Sequence, residues 1–453
     1  MTPPPNPPSA RAIAATVLGE VLFKGAFTSA TLDRELGKYP ALDSRERALC
    51  TEIVYGVVRT HVDLRRLLME RAPRGIAGGD PRVIVPLLVA VYQLLLLDRV
   101  PAHGVVNFTV EHVTSLRGKK VGGFCNAILR GIAREGRLRL EDALRNSCPD
   151  WLWQQLRSAV GERAALHLLG IRSPAEGTPS REVTPTCIRF RAGASLPEWT
   201  NTGRPGVLVD GALRFTGVGD VRRHPEYGEG GFVVQEEGAM FCAVSLGVRE
   251  GDKVWDACAG RGQKTSLIAE RIGATGELWA SDIHQKKLTE LKSEFYRLEL
   301  DPPLTQLADL TQLPEEWPRD FQRILVDAPC TGSGTLRRRP EILLRLKEKD
   351  VERMAVQAET MLRSAAECMG DEARLVFVVC SVLKRECEDV VSRVADVLEP
   401  LSFDAPEVLR LFPDGAPEAF RLLPSTHGTD GFFLASLRKK RQGMGTLSSS
   451  EGV

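Results

Sequence analysis

The stretch Lys253–Ile272, KVWDACAGRGQKTSLIAERI, decides the fold. Lys253–Ala257 reads as a short buried strand and Lys264–Ile272 as an amphipathic helix, with a glycine-containing turn between them. Such a turn brings backbone N–H groups and the positive end of a helix against a ligand. Two loops of this kind are excluded by the residues present. A phosphate-cradling Walker loop needs Gly directly before Lys264, where Gln263 stands. The dinucleotide pattern GxGxxG needs a third glycine after Gly260 and Gly262, where Thr265 stands.

What remains is the methyltransferase type of loop, whose ligand is S-adenosylmethionine. Downstream the pattern alternates: strands at Glu277–Ser281, Leu304–Ala308, Arg323–Asp327 and Arg374–Val379, with helices between them such as Gln285–Leu298. Repeated βαβ units predict a doubly wound parallel sheet, closed by a late antiparallel strand in GTDGFFLASLRKKR. Three strands end on an acid: Asp256, Asp282 and Asp309. A carboxylate closing the second strand is placed to accept from ribose hydroxyls, and Asp309 falls toward the adenine edge. Any one such Asp also fits a helix N-cap. Three in register favour the ligand.

The fourth strand ends in RILVDAPCTGSG, with Asp327 and Cys330 just past it and Pro329 fixing the turn. The fifth, LVFVVCSVLKRECED (residues 375–389), ends on Cys380. A cysteine is a small hydrophobe that fits any core. The carboxyl end of a parallel strand is also where α/β proteins place ligands and reactive groups. Adjacent strands lie about 4.8 Å apart, so Asp327, Cys330 and Cys380 can reach one cluster of substrate atoms. Cys387 and Cys258 read as packing residues, and His284 as an exposed loop histidine.

The rest of the chain bounds the context. Its 453 residues suffice for about three domains. The N-terminal MTPPPNPPSA is a Pro-rich tail with no apolar signal core. The apolar run Val83–Leu97 contains Pro86 and Gln93 and is short for a membrane span, so it reads as a core helix. The 10 cysteines form no CxxC pair or zinc spacing, which predicts a reduced, cytoplasmic setting without disulfides or metal. The net charge is +8 over residues 1–140 and −7 over residues 236–440. A basic front on an acidic back suggests a polyanion-binding module joined to a catalytic one. The expected organisation is a flexible tail (1–10), an all-α RNA-binding domain (11–145), a small α+β linker or RNA-binding domain (146–234), an α/β Rossmann-like class I methyltransferase domain (235–440) and a disordered tail (441–453).

Several motifs carry a resemblance. DACAGRGQKT, LVDAPCTGSGTLRRRPEI and VVCSVL resemble the Sun-type (NOL/NOP/Sun) RNA cytosine-5 methyltransferases, as do the lead-in VVQEEGAMFCAVSLGVREGD and the closing GTDGFFLASLRK. The helical first domain is similar to the antitermination protein NusB. That fusion is typical of bacterial enzymes acting on small-subunit (16S) ribosomal RNA. The resemblance implies that S-adenosylmethionine lies along Cys258, Ala259, Gly260, Arg261, Gly262, Gln263 and Lys264, with Asp282 on the ribose and Asp309 near the adenine. It implies that Asp327 contacts the target base, that Cys380 is the nucleophile and that Cys330 helps release the product, in a monomer without metal or membrane. The run Arg337–Arg339 offers positive charge either to the Cys380 thiolate or to RNA phosphates.

This chain departs from the family pattern where Ala-Pro-Gly-Gly-Lys is usual, carrying Gly260-Arg261-Gly262-Gln263-Lys264 instead. The loss of a Pro and a Gly predicts an altered loop, with Arg261 available to the cofactor carboxylate. Three other readings are open: exchanged roles for Cys330 and Cys380, a transfer RNA substrate, and an inactive RNA-binding factor.

Overall fold

The computed structural model describes residues 8–440 apart from 77, 99, 173–179, 182, 183 and 192. The two terminal tails fall wholly or largely outside those residues. The chain forms two compact units. The first comprises residues up to Thr184 together with Thr331–Glu348, and the second Pro185–Cys330 with Lys349 onward.

The first unit is helical. Helices α1 (Ala10–Lys24), α2 (Thr28–Gly37), α3 (Ser44–Arg71), α4 (Pro81–Leu96), α5 (Ala102–Arg117) and α6 (Lys119–Ile132) enclose one apolar core. The apolar run around Pro86 is the buried α4, as its length predicted. Ser9, Asp43 and Asp80 cap α1, α3 and α4 with their side chains. The segment 331–348 belongs to this unit through buried polar contacts. Arg59 donates to the Arg337 carbonyl, Thr28 Oγ1 donates to Glu341 Oε2 at 2.8 Å, and Arg345 donates to the Ala26 carbonyl.

The second unit opens with a small antiparallel sheet of β1 (Thr186–Phe190), β2 (Arg204–Pro205), β3 (Ala212–Phe215) and β4 (Phe232–Val234), in the order β2-β3-β1-β4. Helix α7 (Glu237–Val244) leads into the large sheet. That sheet is built from β5 (Lys253–Asp256), β6 (Glu277–Asp282), β7 (Leu304–Leu307), β8 (Phe321–Asp327), β9 (Met369–Val379), β10 (Leu398–Pro400), β11 (Ala419–Leu422) and β12 (Phe432–Lys439). Helices α8 (Gln263–Ile272), α9 (Gln285–Arg297) and α10 (Glu348–Glu367) make its crossovers. The strand order is β10-β12-β9-β8-β5-β6-β7, with β11 on β12. Strands β5 to β9 are parallel to their neighbours and β12 runs antiparallel to β9. All five parallel strands and the late antiparallel strand stand within a few residues of their sequence-based positions; the central β5, β8 and the second half of β9 are apolar runs buried on both faces, whereas β7 is an exposed edge strand. The order reverses between β5 and β8, and a crevice for ligands opens at the carboxyl ends of strands flanking such a switch point.

Among the described residues, no helix is long and apolar enough to cross a membrane, and no group of three or more His, Cys, Asp or Glu is placed to hold a metal ion.

Candidate active site

The register between β8 and β9 sets the catalytic candidates level. Asp327 pairs with Val378, so Cys330, three residues beyond Asp327, and Cys380, two beyond Val378, leave the same edge of the sheet. Their sulfurs lie 3.2 Å apart, both half-buried. Ala328 N–H donates to the Val378 carbonyl at 3.0 Å, which extends the pairing past the strand end and holds the Pro329–Cys330 turn against β9. The bend after Cys380 is fixed by Ser381, whose hydroxyl donates to the buried Glu386 carboxylate at 2.5 Å and accepts from Leu383 N–H at 3.2 Å. Cys387 is fully buried, its thiol on the Ser381 carbonyl, and burial pushes its pKa well above the ordinary value. It packs in the core.

Asp327 does not stand alone. Lys264 Nζ lies 2.6 Å from Asp327 Oδ2 in a largely buried ion pair. Burial disfavours the ammonium, but Asp327 outweighs it and holds the Lys264 pKa above its usual value. Lys264 is therefore a fixed cation beside the strand end. The sequence placed it only on the cofactor loop, and a pairing across 63 residues of chain leaves no local signal. Cys242 on α7 is fully buried, with Lys264, Asp327, Glu236 and Cys380 among the titratable groups around it. Lys264 and Cys380 thus share one neighbourhood. The Arg337–Arg339 run belongs to the helical unit; Arg337 is fully buried, Arg338 half-buried and Arg339 exposed.

The glycine loop keeps its shape without a third glycine. Positive φ occurs at Gly260 (+57°) and Gly262 (+84°), the two glycines retained. Gln263 already begins α8 and needs no left-handed backbone. A Cβ on Gly262 would lie 2.6 Å from Leu291, whereas a Cβ on Gly260 would meet no atom within 4 Å. The loop therefore has open space over Gly260 and close backbone packing under Gly262. Ala259 N–H donates to the Ser281 carbonyl at 2.9 Å and Gly260 N–H to Asp282 Oδ2 at 3.2 Å, so the end of β6 carries the loop. Arg261 pairs with Glu290 on α9 at 2.6 Å and is exposed. Cys258 is half-buried, and burial together with Asp327, Asp256 and Asp282 raises its pKa well above the ordinary thiol value, so it is a wall residue.

The three acidic strand ends diverge in role. Asp282 is 7% exposed and accepts from Gly260 N–H, His284 N–H and Lys287. Asp309 lies two residues past β7, and its Oδ1 accepts from Thr311 N–H and hydroxyl at 2.9 and 2.7 Å, the local turn that a strand-end Asp often makes. Asp256 is 1% exposed, its Oδ2 accepting from Thr265 at 2.7 Å while its Oδ1 has no partner. Burial is the main reason its pKa rises to about 7. A buried acceptor without a donor, open space above Gly260 and a helix N-terminus together fit a ligand that brings positive charge and hydrogen-bond donors.

Residues 243–438 match the family model described as 16S rRNA methyltransferase RsmB/F, and residues 8–134 match the NusB family. A curated relative from Synechocystis, named probable ribosomal RNA small subunit methyltransferase B, is 29% identical over 447 residues, covering 95% of this chain and 99% of the relative. The crystal structure of PH0851 superposes with a TM-score of 0.78 at 22% identity, over 97% of this chain and 100% of that one. The structure of NSun6 from Pyrococcus horikoshii with SFG has a TM-score of 0.54 at 17% identity, over 65% of this chain and 99% of that one.

Proposed function

We propose that this chain, which carries an RsmB/F methyltransferase domain behind a NusB-family domain, methylates carbon 5 of a cytosine in small-subunit ribosomal RNA through a covalent bond from Cys380 to the base. S-adenosylmethionine supplies the methyl group. The observation that carries the reading is the pair of thiols 3.2 Å apart beside the Lys264–Asp327 ion pair, at the carboxyl ends of adjacent parallel strands.

Each group has a task. Carbon 5 of cytosine is too electron-poor to take a methyl group unaided. Addition of the Cys380 thiolate to carbon 6 makes carbon 5 nucleophilic. A free thiol has a pKa of about 8.5, so the thiolate needs a cation near it. Lys264, held charged by Asp327, is the cation of this neighbourhood. Negative charge that builds at ring nitrogen 3 during attack is met by a proton at the Asp327–Lys264 pair. After methylation carbon 5 still carries its hydrogen. Cys330, as thiolate, takes that proton, the electrons of the C–H bond re-form the ring double bond, and the bond to Cys380 breaks with its electrons returning to sulfur. Gly260, Gly262, Asp256 and Asp282 would hold the cofactor. The regular backbone of the altered loop supports a working enzyme over an inactive binding factor.

The test is a pair of single substitutions incubated with RNA and S-adenosylmethionine. Cys330→Ala is expected to accumulate a denaturation-resistant RNA–protein adduct, and Cys380→Ala to form none. The reverse result makes Cys330 the attacker and overturns the assignment. Bisulfite sequencing of ribosomal RNA from a deletion strain tests the substrate: a missing 5-methylcytosine is expected in small-subunit RNA, and an unchanged pattern there refutes that choice.

A further inference from the structure

Gln235 joins β4 to α7 and is 3% exposed, yet neither its side-chain oxygen nor its nitrogen has a hydrogen-bond partner. Its backbone is committed, since its N–H donates to the Cys187 carbonyl at 3.1 Å and continues the small sheet. An unpaired buried donor and an unpaired buried acceptor each cost stability that an apolar side chain of the same size would not. Such a group calls for a partner outside the chain.

The position of Gln235 says which partner. The residue before it, Val234, accepts from Gln263 Nε2 at 2.8 Å, and Gln263 is the first residue of α8, directly after the glycine loop. The same corner is bolted a second time. Arg189, 3% exposed on β1, donates to Ser266 Oγ at 3.1 Å and pairs with Glu270 at 2.5 Å, both on α8. The residue after Gln235, Glu236, caps α7 by accepting from Ala239 N–H at 3.1 Å, and α7 carries Cys242 with Lys264, Asp327 and Cys380 among the titratable groups around it. Gln235 therefore stands where the small sheet is fastened to the start of the cofactor helix. The nucleoside side of the loop is served by Asp282 through Gly260, and the reacting side by Asp327 and Lys264. An amide with one acceptor and one donor complements a zwitterion: an α-ammonium donates to Oε1 and an α-carboxylate accepts from Nε2.

We propose that Gln235 binds the amino-acid end of S-adenosylmethionine. This inference rests on the cofactor reading given above and adds to it a residue on the strand-to-helix joint before the glycine loop.

Calorimetry on the full chain tests it with three probes: S-adenosylmethionine, S-adenosylhomocysteine, and 5′-methylthioadenosine, which lacks the amino-acid end. Gln235→Met keeps the volume and removes the amide. It is expected to weaken the first two probes about 10- to 100-fold, the loss of hydrogen bonds to charged groups, and to leave 5′-methylthioadenosine unchanged. The unfolding midpoint of the ligand-free variant should be equal or higher, because the unpaired polar atoms are gone. Equal weakening of all three probes with a lowered midpoint makes Gln235 a structural residue and overturns the proposal. Unchanged binding of all three, with a raised KM for RNA, assigns the amide to the nucleobase and overturns it too. If the unaltered protein binds none of the probes, the cofactor reading itself fails, which is a separate outcome.

Discussion

Asp256→Asn should abolish a pH dependence of folding that the buried carboxyl imposes. Asp256 is 1% exposed at the end of β5, its nearest polar partners being Thr265, Lys264, Asp327 and the backbone at Cys258. Burial dominates, and its pKa stands at about 7 against an ordinary value of 3.8. Between those two values the folded chain holds a proton that the unfolded chain has released. Stability therefore falls as pH rises through this window, with the full contribution present below about pH 4 and lost above about pH 7. At 1.36 kcal/mol per pH unit the whole span amounts to about 4 kcal/mol, of which about 2.5 kcal/mol lies between pH 5 and pH 8. Other groups titrate as well, so the quantity to read is the difference between the two proteins. Urea unfolding of the ligand-free protein and of the Asn variant at pH 5, 6, 7 and 8 should give a difference that shifts in favour of Asn by about 2.5 kcal/mol across the series. A difference that stays flat would show that Asp256 is ionised throughout, and the argument from burial would be wrong. The same carboxyl links to the cofactor. A cation held near it favours the ionised form, so S-adenosylmethionine binding near pH 7 should release a fraction of a proton, seen as a dependence of the calorimetric heat on buffer ionisation enthalpy. Asp256→Asn should remove that dependence.

The loop glycines give a contrasting pair. Gly262→Ala combines φ +84° with a Cβ 2.6 Å from Leu291 and should lose about 2–4 kcal/mol in urea unfolding. Gly260→Ala meets no atom within 4 Å and should lose only about 1–2 kcal/mol, yet weaken S-adenosylmethionine more than tenfold, because its methyl group enters the space above the loop; equal stability losses would contradict the difference in packing. Gln263→Gly restores the glycine usual in related loops but removes the bond to the Val234 carbonyl at 2.8 Å and a residue with better helix propensity. It should cost about 1–2 kcal/mol and change cofactor affinity less than about threefold, whereas tighter binding by tenfold would show that Gln263 distorts the loop. Cys387→Ala should lower stability by about 1–2 kcal/mol while leaving adduct formation by Cys380 intact; loss of the adduct in a folded variant would give Cys387 a place in the chemistry.

The parts of this molecule that sequence made legible are those written in local pattern. Central parallel strands are apolar runs, so Lys253–Ala257, Arg323–Asp327 and Arg374–Val379 stood out, while the polar first half of the fifth strand, which begins at Met369, did not. The rule that ligands sit at the carboxyl ends of such strands then put Asp327, Cys330 and Cys380 in one crevice. The loss of a Pro and a Gly pointed to an altered loop, but a left-handed backbone is used only at Gly260 and Gly262, and residue 263 has already entered the helix. The pairing of Arg261 with Glu290 on α9 had no local signal either.

Long-range pairing was not legible, and the chemistry depends on it. Nothing in GQKTS says that Lys264 will meet a carboxylate 63 residues later, because strand adjacency brings the two ends together and only the β8–β9 and β8–β5 registers fix their height. The same holds for residues 331–348. Chain order places them inside the methyltransferase motifs, yet a fully buried Arg337 and the bond from Thr28 to Glu341 make them part of the helical unit. Composition hides this, since nothing in TLRRRPEI separates the fully buried Arg337 from the exposed Arg339. Gln235 is the converse case. A glutamine between a short strand and a helix cap looks like an ordinary surface residue, and only its 3% exposure with both amide atoms unpaired marks it as a site. Sequence pattern thus locates chemistry that sits on strand ends. Chemistry supplied by a partner from elsewhere in the chain becomes visible once burial and hydrogen bonds can be counted atom by atom.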